Sequence, residues 1–201
     1  TKMVRTRGTP GGMFDGFRQW IVLTRRYAEI TLRDRKNLSI LLLQAPIVGG
    51  ICALALDAGS YFELRGMFFN LTLAAIWFGA FNSYREFVKE RPIYLRERKV
   101  NLRVVPYYAS KFIVLAGLCA IQSGLLLFTV DLFDPLGGSK PLLALTIWLI
   151  ALAGVAMGLA ISALVVATDR AVSMVPIALI PQAVLIGIEE PFTGAAGALE
   201  K

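Results

Sequence analysis

The stretch Arg85-Glu86-Phe87-Val88-Lys89-Glu90-Arg91-Pro92-Ile93-Tyr94-Leu95-Arg96-Glu97-Arg98 carries an ionisable side chain at more than half of its positions. Its carboxylates, Glu86, Glu90 and Glu97, are interleaved with cations. That pattern suits ion pairing and docking against a charged partner, whereas a simple topology anchor would need only the cations. Groups that make or break bonds are not assembled elsewhere. The chain has no His and two Cys, and both Cys52 and Cys119 lie in apolar runs, which disfavours a zinc site or a disulfide framework. No Ser has a base in a recognisable pattern, and no GxxxxGK[ST] phosphate loop occurs. The sequence therefore reads as no enzyme on its own, with no catalytic residue, metal or cofactor, and any ATP that drives it is bound elsewhere.

The elements that must position this charged stretch are membrane helices. Hydrophobic residues make up 56% of the 201 positions, and the mean hydropathy is +0.63, values of the membrane class. Residues 1–16, with Gly8, Pro10, Gly11 and Gly12, read as a linker from an upstream domain. In residues 17–36, Trp20, Leu23, Tyr27 and Ile30 recur at helical spacing while Arg18, Arg25, Glu29 and Arg33 take another face. This describes an amphipathic connecting helix at the membrane interface.

A transmembrane domain is expected over residues 37–192, with a tail at 193–201. Apolar runs at about 38–56, 66–83, 107–130, 141–168 and 171–188 predict five spans, each at or above the roughly 17-residue minimum for crossing a ~30 Å hydrocarbon core. The fold class is thus all-α integral membrane. A sixth span is expected beyond the fragment, because five leave the two chain ends on opposite sides. Between the second and third spans, residues 84–106 form a cytoplasmic segment; Pro92 is expected to stop a helix continuing to Glu90, with a short charged helix over 93–105.

Nine of the 21 Lys and Arg residues precede the first run, and eight more fall from Arg85 to Lys111, with Lys111 itself counted. The positive-inside rule puts both blocks, and the N-terminus, in the cytoplasm. Basic residues gathered this way report topology in the lipid bilayer of a plasma (inner) membrane, and they give no nucleic-acid-binding face.

Polar groups at membrane depth are few: Gln44, Asn70, Asn82, Gln122 and Gln182. A proton-coupled carrier would need a mid-span carboxylate or His, which the first four runs lack. Ala151, Gly154, Gly158 and Ser162 form a small-residue ridge suited to close helix packing, within the protomer or against a partner.

The charged stretch 85–98, followed by Tyr107, Tyr108 and Lys111, resembles the ABCG-type (White-like) ABC half-transporters, as does the segment holding Arg25-Arg26-Tyr27 and Arg33-Asp34-Arg35. The resemblance runs from about residue 17 to 192. It implies the membrane half of an exporter of hydrophobic or amphipathic molecules, without its ATPase domain. The implied partners are an ABC nucleotide-binding domain carrying ATP and Mg, and a second membrane domain, forming a homodimer. It also implies roles: Glu86, Glu90, Arg96, Glu97 and Arg98 couple to the ATPase, while Phe78, with Asn82, lies on the substrate path. Gly187-Ile188-Glu189 departs from the family, which has apolar plug residues after the matching Gly: Ile188 and Glu189 are expected at the outer end of the path, and either the register is off by one residue or the exit is polar. Two other readings stay open: a membrane anchor or scaffold that recruits a cytoplasmic partner, and a carrier not driven by ATP.

Overall fold

A computed structural model describes residues 13–55, 61–98, 102–133, 135–167, 169–181 and 184. Six helices follow one another: α1 (Met13–Arg33), α2 (Arg35–Ala55), α3 (Tyr61–Ser83), α4 (Glu86–Arg98), α5 (Val104–Phe133) and α6 (Lys140–Leu164). A further helical segment covers residues 169–181.

The break between α1 and α2 has a local cause. α1 is amphipathic along its length, with Arg18, Arg25 and Arg33 on the face opposite Tyr27. It breaks at Asp34, whose carboxylate Oδ1 accepts from the Asn37 backbone N–H at 3.3 Å and so caps the start of α2. α2, α5 and α6 are long and apolar enough to cross a membrane, judged by length and composition. α3, of 23 residues, carries the polar Asn70, Asn82 and Ser83 and is not among these three. At ~1.5 Å per residue α5 is ~45 Å long and exceeds a ~30 Å hydrocarbon core. Its first turns hold Tyr107 and Lys111.

Pro92 does not act as expected. α4 is one continuous helix with Pro92 inside it, and the chain breaks earlier, in a turn at Tyr84 and Arg85. Ser162 of α6 explains this: its Oγ accepts from the backbone N–H of Phe87 at 2.9 Å and of Val88 at 3.2 Å. A buried hydroxyl from another helix thus satisfies the first donors of α4. Pro92 forgoes only its own backbone donor, at an exposed position.

The small-residue ridge packs within the protomer, against α3. A Cβ added at Gly79 or Gly154 would fall within 3.0 Å of the facing backbone, near Ala151 and Gly154 in one case and Ile76 in the other. A Cβ at Gly158 would meet Ala80 and Ser83. The contacts advance along both chains together, so α3 and α6 run parallel, and theirs is the most extensive contact between the described helices. Around it lies a core of Met67, Leu71, Leu115, Leu126, Val155 and Leu159. A second cluster joins Ala80, Val88 and Ile161 to Ala171, Val175 and Leu179 of the segment 169–181. The outward faces of α2 and α6, with Ile40, Leu43, Ile47, Leu142, Leu145 and Leu149, are exposed and apolar, as lipid-facing surfaces must be.

Candidate functional site

The charged stretch is folded inward onto α1 and α5. Its centre is Lys111, which is only 1% exposed. The ammonium Nζ lies 3.1 Å from Glu86 Oε2 and 2.9 Å from Glu90 Oε2. Both carboxylates belong to α4, one turn apart, so one cation grips one face of that helix. The Tyr107 hydroxyl, one turn before Lys111 on α5, donates to the same Glu90 oxygen at 3.0 Å.

Aromatic rings close the remaining sides. Nζ of Lys111 stands 4.2 Å from the centroid of the Tyr27 ring and 5.5 Å from that of Tyr107. A desolvated ammonium is stabilised by the negative face of such rings. Burial first, and then the Glu86 carboxylate, holds the Tyr27 phenol well above its ordinary range, so it stays neutral. A third carboxylate, Glu97, lies at the far end of α4 and pairs with Arg26 of α1 at 3.1 Å across a half-exposed surface. The cavity left among Tyr27, Glu90, Glu97, Tyr107 and Lys111 is about 20 Å³. Since a single water needs roughly 10–15 Å³, this is a clamp and not a ligand chamber.

The chemistry of the arrangement is mechanical. α1 is tied to α4 by Arg26–Glu97 and to α5 by Tyr27–Lys111. α4 is tied to α5 through Glu86, Glu90 and Lys111, and to α6 through Ser162. Four elements therefore meet at one end of the bundle and are joined by directional, partly buried polar contacts. Among the described residues no group of three or more His, Cys, Asp or Glu side chains could hold a metal.

The residues singled out from sequence fall into separate places. Glu86, Glu90 and Glu97 belong to this clamp. Arg96 is exposed on α4, and Arg98 ends that helix with its side chain outside the described part of the structure. Phe78, 7% exposed, packs inside the bundle core. Asn82 is also internal: its Nδ2 donates to Gln122 Oε1 at 2.5 Å, and Gln122 Nε2 donates to the Leu41 carbonyl at 2.7 Å. That chain of amides links α3, α5 and α2. Ile188 and Glu189 lie outside the described residues.

Lys111, Tyr27, Arg26 and Ser162 carry contacts that the sequence reading gave no separate role. The spacing of Tyr107 and Lys111, four apart and so on one helix face, was the available signal for a paired site. Nothing local marks Ser162 as a cap for a helix more than seventy residues earlier.

The model of the ABC-2 type transporter family matches residues 18–191. An ABC transporter ATP-binding/permease protein of Mycobacterium tuberculosis is 27% identical over 199 aligned positions, covering 89% of this chain. The chain spans 23% of the length of that relative. No solved structure is significantly similar.

Proposed function

This chain belongs to the ABC-2 type transporter family, and we propose that it is the permease half of an ATP-driven exporter whose clamp transmits motion from an ATPase to the membrane helices. It is the membrane domain of an ABC transporter, all-helical, with helices suited to spanning a bilayer. In the proposal, ATP and Mg sit on a nucleotide-binding domain, in the same polypeptide as in the mycobacterial ATP-binding/permease protein or in a separate one. Two membrane domains form a homodimer, the N-terminus is cytoplasmic in the plasma (inner) membrane, and the substrate is hydrophobic or amphipathic.

The observation that carries the proposal is the grip of Lys111 on both Glu86 and Glu90 beneath Tyr27. Closure of the ATPase domains displaces α1 and α4. Because α4 is fixed to the start of α5 by Lys111 and to the end of α6 by Ser162, the displacement reaches both of these membrane helices as a rigid-body step. Loose apolar packing would absorb such a push. Paired charges resist it, since separating them in a water-poor site is costly. In the same reading Arg96 and Arg98 couple to the ATPase, and Phe78, Asn82, Ile188 and Glu189 belong to the substrate path.

The test is ATP hydrolysis and dye accumulation by the full-length protein in lipid vesicles, across a panel of fluorescent amphipathic dyes. A transporter hydrolyses ATP faster with a transported dye and accumulates it only with ATP. Dye movement independent of ATP would make the protein a carrier. Neither movement nor stimulation with any dye would favour a membrane anchor.

A further inference from the structure

A groove of about 450 Å³ opens where α4 crosses the start of α5 and the end of α6. Its volume lies in the range of ligand-sized sites, ~300–1,000 Å³. Leu95, Val104, Leu159 and Ala163 give it an apolar wall, and Tyr94, Tyr107 and Tyr108 give it an aromatic one. The rings brace one another: Tyr94 and Tyr107 have centroids 4.9 Å apart, and Phe87 stacks on Tyr108 at 5.6 Å. This wall is preformed.

One cation lines the groove. Arg91 is exposed there and forms no ion pair with any described residue, whereas the carboxylates of α4 are turned to the other side. Glu86 and Glu90 are held by Lys111, and Glu97 by Arg26. The groove thus joins an apolar slot to a guanidinium, at the end of two helices that cross the membrane. Its neighbour at that depth is the lipid headgroup region, where Tyr rings characteristically settle.

We propose that this groove binds one anionic phospholipid from the leaflet bordering α1 and α4, with an acyl chain along Leu95, Val104 and Ala163 and the phosphate on Arg91. Guanidinium matches phosphate with paired donors, and the exposed apolar wall, costly to leave in water, matches the chain. The bound lipid touches α4, α5 and α6 together and so sets the spacing of the elements joined by the clamp. The proposal rests on the membrane-domain reading; it uses neither the orientation of the chain nor its transport activity.

The experiment is native mass spectrometry of the full-length protein in detergent, without ATP, titrated with phosphatidylglycerol or with phosphatidylcholine. Phosphatidylglycerol is expected to bind about tenfold more tightly, equivalent to about 1.4 kcal/mol. Arg91→Gln, at an exposed position, is expected to abolish that preference, and Ala163→Trp, which fills the slot, to remove binding of both lipids. An unchanged preference in Arg91→Gln, or wild-type retention in Ala163→Trp, would overturn the assignment. A photocrosslinker at Leu95 adds a second arm in membranes. Reaction with lipid supports the proposal; reaction with the nucleotide-binding domain or a second copy of the chain would give the groove to a protein partner and overturn it. Since no ATP is used, a failure here is separable from a failure of the transport reading.

Discussion

The ammonium of Lys111 stands 4.2 Å from the centre of the Tyr27 ring, which fastens α1 to α5 by a cation that also holds Glu86 and Glu90. Lys111→Met would leave two carboxylates with no cation in a site where the lysine is almost fully buried. Removing one partner of a buried pair costs about 3–5 kcal/mol. The full-length protein should therefore melt at a clearly lower temperature in detergent. Adding Glu86→Gln and Glu90→Gln to Lys111→Met should recover part of the loss, and an unchanged melting temperature in the single variant would show that water already screens the cluster.

Close approach of α3 and α6 gives a sharper steric prediction. Gly79→Ala or Gly154→Ala places a methyl against facing backbone, where overpacking costs about 1–3 kcal/mol. Gly117→Ala and Gly124→Ala on α5 meet no atom within 4 Å and serve as controls. The first pair should lower thermal stability and the second pair should not. Equal behaviour of both pairs would contradict the parallel α3–α6 packing.

Ser162 is the only described side chain that accepts from the first backbone donors of α4. Ser162→Ala should cost about 0.5–2 kcal/mol, the usual range for a lost cap. The loss should be local, with faster hydrogen exchange at Phe87 and Val88 and unchanged exchange in α5. Uniformly faster exchange would mean that Ser162 supports the whole bundle and not the start of α4.

These cases show what was legible in the sequence. The helices were, because apolar runs near twenty residues can satisfy their backbone only within themselves in lipid. The amphipathic character of α1 was equally local. The turn before α4 was not. Pro92 is a strong local signal for a break, yet a hydroxyl supplied by α6 moved the break to Tyr84 and Arg85. Glu86, Glu90 and Glu97 were recognisable as a charged cluster, but the partners Lys111, Tyr27 and Arg26 come from distant segments, and a Lys at the start of a span also reads as an ordinary topology signal. Phe78 packs against the core cluster of this chain, a neighbourhood set by residues from several helices that its own segment does not reveal.

The distribution of basic residues predicts that α1 and α4 face the cytoplasm. In a background lacking Cys52 and Cys119, cysteines at Ser139 and Asn101 can be probed on intact cells with an impermeant thiol reagent. Ser139→Cys should label and Asn101→Cys should not. The reverse pattern would invert the topology while leaving the clamp geometry untouched.

Whether the clamp carries motion from an ATPase to the membrane helices is tested most directly by exchanging the charges of its exposed pair, Arg26 and Glu97. The measurement is the ratio of dye-stimulated to basal ATP hydrolysis by the full-length protein in vesicles, for wild type, Arg26→Glu, Glu97→Arg and the double exchange. Each single variant replaces this 3.1 Å pair by two like charges and should lose most of the stimulation while keeping basal hydrolysis. The double exchange restores an opposite-charge pair and should recover it. Wild-type stimulation in both single variants, or no recovery in the double exchange, would contradict the account.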